Sequence, residues 1–332
     1  MQKRIVAVII AAAVAVFVCY AILSSKPSVS SHPPSASSIS IPISRTSAIP
    51  AGAVKVTPQT DVYPPIMHSS AWAAPVPLPS TIDTAGGEDS PFIMPDGNTL
   101  YFFFTPNVSV PANKQLFDGV TGIYVSEKVN GNWTDAQRVV LEDPGTLALD
   151  GCEFVQGNTM WFCSARTGYT GVNLFTAKFV NGRWADWQYA GDLLNKEYQV
   201  GEMCLTPDGN EMYFGSSRAG GQGGLDIWVT KLVNGTWQAP ENVGAVNTQG
   251  DEYLPFITPN GTELWFTRTY MGTPAIYESE MVNGTWSSPQ LIISQFAGEP
   301  SLDEYGNLYF VHHFYSGTGN MIESDIYVAY HR

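Results

Sequence analysis

Apolar and polar residues alternate along most of the chain, and the alternation is organised into five similar segments. In each segment an apolar strand runs into a glycine-containing turn, and a second strand with two adjacent aromatic residues follows. The turn glycines are Gly97, Gly157, Gly209, Gly261 and Gly306. Asp-Gly and Asn-Gly turns between alternating apolar strands are strong hairpin signals. The pattern therefore predicts five β-hairpins.

A third apolar strand follows each hairpin, and in four segments an Asn-Gly-x-Trp turn leads to a fourth strand. The fifth segment ends at Arg332 without this turn. The missing strand stands at the front instead, where the sequence after Trp72 matches the sequence after Trp237 and Trp286. We therefore predict five four-stranded units, the last of which is split between the two ends of the domain.

Four antiparallel strands in a unit of about 50 residues are typical of a β-propeller blade. We predict an all-β fold, a five-bladed β-propeller over residues 61–332, with the strand around Trp72 closing the ring. Closure removes the sheet edges on which other chains could pair. The alternative is a linear array of sheets or two sandwiches, but neither has a use for a split unit.

Composition and charge narrow the range of partners. The chain is 44% hydrophobic, 12% aromatic and 14% charged, which argues against disorder and coiled coils. Residues 61–332 carry 11 Lys and Arg against 30 Asp and Glu, a formal charge of −19. Such a surface repels phosphate backbones, so no nucleic-acid partner is expected. It is compatible with cations, neutral glycans or basic partners.

The N-terminal residues indicate export. Lys3 and Arg4 precede an uncharged apolar run, residues 5–23, that is just long enough to cross a bilayer as a helix. We interpret residues 1–23 as a signal-anchor, or else as a signal peptide that is removed. Residues 24–60 are rich in Ser and Pro and predict a disordered stalk. The expected location is a membrane-anchored domain at the cell surface or in the periplasm, or a secreted domain after cleavage.

The third and fourth units carry a family resemblance. The run from Phe214 to Trp228, FGSSRAGGQGGLDIW, and the return through Asn234-Gly235-Thr236-Trp237 to Asp251-Glu252-Tyr253-Leu254-Pro255-Phe256-Ile257 resemble the WD40-like propeller repeats of TolB-type and OmpA-associated envelope proteins. The resemblance covers residues 72–332. The second unit departs most, because Gln156-Gly157 replaces the Pro-Asp-Gly turn. The resemblance implies a propeller, an envelope location, and binding rather than catalysis.

Acidic residues recur near the start of every first strand. Asp150, Glu202 and Glu299 lie seven residues before the turn glycine, and Glu88 and Glu252 lie nine before it. Because seven and nine differ by the strand period of two, the five acids should share a face and gather at one mouth of the central channel. Such a ring would suit a cation such as calcium or a polar ligand, and repulsion would raise some of the pKa values. The alternative is local pairing with neighbouring blades or backbone amides.

Basic residues follow the aromatic pairs on the second strands, at Arg166, Arg218, Arg268 and His312. Alternating with the acids, they would form ion pairs between blades. The alternative is a polar pocket for a glycan or carboxylate, with arginine as a two-pronged donor.

These residues suggest a non-enzymatic, monomeric binding module for an envelope protein or a glycan. The alternative is a glycoside hydrolase of the five-bladed furanosidase type, with Glu88, Glu202 and Glu252 as acid and base or nucleophile. Recurrence of acids in all five units favours a repeat feature over a catalytic set. We expect no cofactor and no zinc site, since the five histidines form no His/Cys cluster. Cys152 and Cys163 flank one hairpin and are candidates for a disulfide.

Overall fold

The computed structural model describes residues 44–198 and 201–332, whose regular structure is almost entirely β-strand. The helices among these residues are short: α1 (Arg45–Ala48), α2 (Ala112–Gln115) and α3 (Asp192–Tyr198). Within the described ranges, none is both long and apolar enough to span a bilayer. The apolar run of residues 5–23 lies outside the described residues.

The strands follow the five predicted units, and two more strands precede them. The leading strands are β1 (Ile66–Met67) and β2 (Val76–Pro77). Unit 1 contains β3 (Gly87–Ile93), β4 (Thr99–Thr105), β5 (Gly122–Val129), β6 (Asn132–Trp133) and β7 (Gln137–Arg138). Unit 2 contains β8 (Ala148–Gln156), β9 (Thr159–Arg166), β10 (Asn173–Val180) and β11 (Arg183–Tyr189).

The other three units repeat this plan. Unit 3 contains β12 (Met203–Leu205), β13 (Glu211–Ser216), β14 (Asp226–Val233), β15 (Thr236–Trp237) and β16 (Glu241–Asn242). Unit 4 contains β17 (Glu252–Ile257), β18 (Glu263–Tyr270), β19 (Thr273–Val282), β20 (Thr285–Trp286) and β21 (Gln290–Ser294). Unit 5 contains β22 (Ala297–Leu302), β23 (Leu308–Tyr315) and β24 (Met321–Ala329).

Pairing within each unit is antiparallel and runs from the first strand outward. The first strands of successive units contact one another in the order β3, β8, β12, β17, β22, and β22 contacts β3 again. Units 1 and 5 are also joined by a single parallel bridge between Ser324 of β24 and Gly87 of β3. We call the junction of these two units the seam.

The Asn-Gly turns form as the sequence predicts. At Asn130-Gly131 the two φ angles are 52° and 80°, the left-handed pair that a two-residue hairpin with strand-like twist requires. The other three Asn-Gly pairs have the same conformation. In units 1, 3 and 4 the fourth strand is broken into two short pieces, because only its ends pair with the third strand.

Aromatic residues on the second strands form much of the core. The second residue of each aromatic pair is fully buried; these are Phe102, Phe162, Phe214, Phe266 and Phe310. Most buried side chains belong to one large cluster. A separate cluster lies at the seam, where Leu78 and Ile82 pack with Phe104 of unit 1 and Ile326 of unit 5. The seam thus has its own core.

The segment before unit 1 pairs with the two last units. Trp72, predicted to complete unit 5, forms a bridge with His331, and β2 pairs with β24. The Trp72 indole donates a hydrogen bond to the Gly306 carbonyl at 2.8 Å and packs edge-on against Trp265. A second pairing, of β1 with β21 in unit 4, is not predicted by the sequence pattern.

Part of the predicted stalk lies on the sheets instead of extending from them. Of residues 24–60, the described part begins at residue 44, and Arg45 is only 8% exposed. Its guanidinium binds Glu88 in unit 1, and the Lys55 ammonium binds Glu323 and Asp325 in unit 5. The prediction of a stalk up to residue 60 is wrong for this part. The segment is held by single charged groups and by a few apolar side chains that pack on the core, and such isolated contacts leave no hydrophobic periodicity in the sequence.

Antiparallel pairing places the connections of the units on two different faces. The turn after each first strand and the Asn-Gly turns share one face, which we call the turn face. The remaining connections share the face where the first strands begin, which we call the loop face. The loop face comprises residues 78–86, 106–121, 139–147, 167–172, 190–198, 201–202, 217–225, 243–251, 271–272, 295–296 and 316–320.

Candidate functional site

Most of the first strands are bent by a bulge near the start. Ser90, Cys152, Leu254 and Glu299 have φ between 50° and 57°, and pairing with the second strand shifts register at each of them. A bulge breaks the alternation of side chains along a strand. Residues on either side of it therefore do not keep the common face that an unbroken strand would give them.

The bulges separate the five predicted acids into two sets. Glu88, Asp150 and Glu252 each lie two residues before a bulge, whereas Glu299 lies at one and Glu202 directly precedes β12. Asp150 belongs to the first set because the turn of unit 2 is shorter, so its distance from the turn glycine is misleading. The structure does not bring the five carboxylates into one ring.

The first set is buried and bound by arginine. Glu88, Asp150 and Glu252 are at most 1% exposed. The ion pairs are Arg45–Glu88 (Nη1–Oε1, 3.0 Å), Arg166–Asp150 (Nη2–Oδ1, 2.8 Å) and Arg268–Glu252 (Nε–Oε1, 2.7 Å). A hydroxyl also donates to each carboxylate, from Thr84 (2.6 Å), Ser164 (2.5 Å) and Thr248 (2.6 Å). Arg166 and Arg268 pair within their own units, not between blades as predicted.

The arginines also lie over aromatic rings. Arg166 lies 4.3 Å from the Trp187 ring centroid, and Arg268 lies 4.5 Å from that of Tyr277. In unit 3, Arg218 lies 5.1 Å from the Trp228 centroid and donates to the Ser216 hydroxyl at 3.1 Å. Cations over ring faces are stabilised by the ring quadrupole. These arginines therefore have structural partners.

His312, predicted at the channel mouth, is fully buried beneath the N-terminal segment. Its Nε2 lies 2.8 Å from a carboxylate oxygen of Asp61. Burial lowers the pKa of His312, although the hydrogen bond and charge of Asp61 oppose this. His312 does not line the central cavity.

The first strands surround a cavity of about 30 Å³. Its acidic side chains are Glu153, Glu202 and Glu299. The Ser90 hydroxyl donates to Glu202 Oε1 at 2.5 Å, and the Ser90 amide donates to Glu299 Oε2 at 2.7 Å. Neither carboxylate oxygen of Glu153 has a hydrogen-bond donor among the described residues. Two of the five predicted mouth acids therefore meet here, with a third that the sequence analysis missed.

The cavity favours protonated acids. Burial raises the pKa of Glu202 to about 8, and the charge of Asp89 adds to this while the Ser90 hydrogen bond opposes it. Burial likewise raises the pKa values of Glu153 and Glu299 well above the usual range. Burial in this cavity therefore favours the protonated form of all three acids. A perturbed acid in a cavity is a feature of functional sites and also of buried structural networks.

The size of the cavity limits its chemistry. About 30 Å³ accommodates one or two water molecules or a single cation. Pockets that enclose small-molecule ligands usually measure roughly 300–1,000 Å³. In this conformation the cavity can hold a proton, water or an ion, but not a sugar ring.

Two clusters of side chains are close enough to share a cation. One comprises Asp89, Glu299 and His313 and adjoins the cavity. The other comprises Asp83, Glu88 and Asp325 at the seam. In each cluster the ligand atoms lie within 4.8 Å of one another. Oxygen ligands alone suit Ca²⁺ or Mg²⁺, and a histidine also admits transition metals.

The two candidate disulfide cysteines are neighbours but are thiols in the structure. A hydrogen bond with Cys163, together with burial, raises the pKa of the Cys152 thiol well above its usual value. The Cys163 thiol also donates to the Gly201 carbonyl at 3.3 Å. Cys152 lies at the bulge of unit 2, which the sequence pattern does not reveal.

The sequence pattern does not reveal Arg45 and Lys55 as partners of the buried acids, because both residues precede the repeats. One signal was present: units 2, 3 and 4 have an arginine within four residues after the aromatic pair, whereas units 1 and 5 have none. In units 2 and 4 an arginine binds the buried acid. Where a unit lacks this arginine, a cation from elsewhere in the chain is expected to bind the acid instead. No sequence signal identified Glu153, because the bulge at Cys152 determines that its side chain faces the cavity.

Comparison with known proteins shows likeness in structure only. No protein-family model matches the chain, and no curated protein matches its sequence. The structure is similar to TolB from Acinetobacter baumannii, with 13% identity over 75% of this chain and 56% of that one and a TM-score of 0.40. This chain therefore spans about half the length of that protein.

Two further solved structures are similar. Endo-arabinase from Bacteroides thetaiotaomicron VPI-5482 shares 13% identity over 77% of this chain and 96% of that one, with a TM-score of 0.48. A putative TolB from Agrobacterium tumefaciens shares 15% identity over 76% and 93%, with a TM-score of 0.39. Structural neighbours thus include TolB-type proteins and an endo-arabinase, and no residue role is transferred from either.

Proposed function

We propose that the chain is an exported five-bladed propeller, tethered through residues 5–23, that binds an envelope protein through its loop face and catalyses no reaction. The cyclic contacts of the five first strands support a closed ring. The pairing of β2 with β24 supplies the outer strand that unit 5 lacks. The apolar run behind Lys3 and Arg4 supports export.

The observation that carries the proposal is the set of exposed apolar side chains on the loop face. Met271 is 88% exposed and Phe117 is 66% exposed. Exposed large apolar residues also occur on two further connections of this face, at Val140, Leu147 and Leu193. Large apolar side chains exposed on a surface are candidates for an interaction site, and aromatic residues dominate the binding energy of such sites.

The loop face also contains an ordered glycine-rich connection. In residues 217–225, the Gln222 amide donates to Asp226 at 3.0 Å and the Leu225 amide donates to Asp251 at 2.8 Å. These bonds fix the loop without using its outer surface. A loop that is ordered before binding loses less conformational entropy when a partner docks.

Charge suggests the kind of partner. The excess of acids in residues 61–332 favours a basic protein surface and gives faster association at low salt. We therefore favour a protein partner over a neutral glycan, and the cavity of about 30 Å³ offers no room for a sugar ring.

Hydrolysis of glycosides has less support. Of the three candidates, Glu88 and Glu252 are fully buried and bound by arginines. Glu202 lines only the small central cavity. A glycosidase needs two carboxyl groups about 5–10 Å apart with the substrate between them.

The test is capture of a partner from a membrane extract by the full-length chain in detergent. We expect the double variant Phe117→Ser with Met271→Ser to lose most of the captured protein. Tyr305→Ser is the matched control, because Tyr305 is 63% exposed on the turn face. Circular dichroism verifies that all variants fold.

A glycan array and a sugar-release assay complete the test. Equal loss of partner with Tyr305→Ser would contradict the assignment of the loop face. Sugar release that disappears in Glu202→Gln would replace the proposal with the hydrolase, and strong array binding would replace the protein partner with a glycan.

A further inference from the structure

Three buried carboxyl groups meet at the seam. Asp83 lies in the connection before β3, Glu88 lies on β3, and Asp325 lies on β24. They are at most 2% exposed, and one oxygen of each lies within 4.8 Å of the others. The cluster therefore joins the first unit to the last.

Two of these carboxyl groups have an oxygen with no hydrogen-bond donor. Asp83 accepts from the Ile326 amide through Oδ1, but its Oδ2 has no donor among the described residues. Asp325 binds Lys55 through Oδ2, and its Oδ1 likewise has no donor within residues 44–198 and 201–332. A buried carboxylate oxygen without a partner is costly. Both oxygens belong to side chains that converge on one point.

The charges around this point do not balance. Four buried carboxyl groups, Asp83, Glu88, Glu323 and Asp325, face the two cations Arg45 and Lys55. Asp61, which lies nearby, is bound to His312. The formal excess is two negative charges, which one divalent cation would neutralise.

We propose that Asp83, Glu88 and Asp325 bind one hard divalent cation, Ca²⁺ or Mg²⁺, and that this ion fastens unit 1 to unit 5. An all-oxygen set of carboxylates is the chemistry that these ions prefer. The site is separate from the cavity cluster of Asp89, Glu299 and His313. It acts on stability because an ion that binds only the folded chain stabilises it by mass action.

Protons are the competing occupants. Burial raises the pKa of Glu88 to about 7 and that of Asp325 to about 8, and it raises the pKa of Asp83 strongly. In the absence of the ion, protonation would relieve the repulsion instead. The ion-bound state and the protonated state can be distinguished in two ways. They differ in their response to chelators and in the effect of replacing a carboxylate by a neutral amide of the same shape.

The test uses the full-length chain in detergent at pH 8, stripped with EDTA and then reloaded with CaCl₂ or MgCl₂. We expect one bound ion per chain by elemental analysis. We also expect a Tm rise of roughly 5 °C when the ion is at about 100 times its Kd.

Asp83→Asn and Asp325→Asn should abolish the bound ion and the Tm rise. In EDTA both variants should be as stable as the natural chain or more so, because the amide relieves repulsion and can still accept the Ile326 or Lys55 hydrogen bond. Glu299→Gln is the matched control, since it removes a ligand of the cavity cluster and leaves the seam intact.

Three results would overturn the site. The first is a natural chain that takes up neither ion. The second is uptake by Asp325→Asn equal to that of the natural chain. The third is loss of the ion in Glu299→Gln alone. If Asp83→Asn does not fold, the Asp325→Asn variant and the response of the natural chain to EDTA still test whether the site binds an ion.

Discussion

Units 2 and 4 and the two units at the seam stabilise their buried acids in different ways. In units 2 and 4 each acid pairs with an arginine only 16 residues away on the adjacent strand. At the seam, Glu88 pairs with Arg45, 43 residues away, and Asp325 pairs with Lys55, 270 residues away. Asp150 and Glu252 are thus paired within their own units, whereas Glu88 and Asp325 depend on a segment outside the repeats.

This difference shows that units with similar sequences can differ in how far their stability depends on residues outside the unit. A buried acid next to its own arginine is compensated as soon as its hairpin forms. The seam acids are compensated only when residues 44–60 dock. The seam should therefore be the region that unfolds first. Four experiments test this expectation.

The largest effect should come from removing the docked segment. A fragment of residues 61–332 lacks both Arg45 and Lys55, so Glu88 and Asp325 remain buried without their cations. Removing one partner of a buried ion pair usually costs about 3–5 kcal/mol. We expect this fragment to be less stable than residues 44–332 by about 4 kcal/mol or more, measured by urea unfolding. Equal stability would mean that the segment is only a stalk.

The next largest effect should come from the single variant Arg45→Met, at about 3 kcal/mol. Glu88→Gln in the same chain should restore most of this loss, because the buried charge is then gone. The control is the cycle Arg166→Met with Asp150→Asn, which tests the same chemistry within unit 2. Independent, additive effects of Arg45→Met and Glu88→Gln would contradict the pairing.

A smaller effect should appear with pH. Burial raises the pKa of Glu88 to about 7 and that of Asp325 to about 8, so the folded chain holds protons that the unfolded chain has released. Stability contributed by these protons is present at low pH and is lost as pH rises from about 4 towards 8.

In EDTA we therefore expect the Tm to be several degrees lower at pH 8 than at pH 5. Asp325→Asn should flatten this slope, since it removes one of the titrating groups. A Tm that rises over the same range, or an unchanged slope in the variant, would show that the seam acids are ionised when folded.

The smallest effect should come from an exposed pair in unit 3. Lys231 lies 3.5 Å from Glu211 and is 53% exposed. Solvent-exposed ion pairs contribute little, so Lys231→Ala should change stability by less than about 0.5 kcal/mol. A larger loss would mean that surface pairs also matter, and the contrast with the seam would weaken.

The sequence reveals what is encoded locally. The hairpins and the Asn-Gly turns could be predicted, because a few neighbouring residues decide each of them. The pairing around Trp72 could be anticipated from its likeness to Trp237. Ion pairing of the acids with arginines was predicted, but between blades, whereas Asp150 and Glu252 pair with arginines of their own units.

The rest depends on backbone geometry and on distant contacts. The bulges occur at Ser90, Cys152, Leu254 and Glu299, four residue types with no common preference for a left-handed backbone. Without them the faces of the first strands cannot be assigned, and Glu153 is not recognised as a lining residue. Arg45 and Lys55 could not be placed either, because a single charge in a Ser- and Pro-rich segment carries no periodic signal.

The strand that receives the N-terminal segment belongs to unit 5 and follows all the other units in the sequence. Val76 in β2 pairs with Val328 in β24. This pairing must therefore await synthesis of β24, however early the middle units fold. A chain that lacked residues 321–332 would leave β2 without its partner and expose an edge of unit 5 to aggregation.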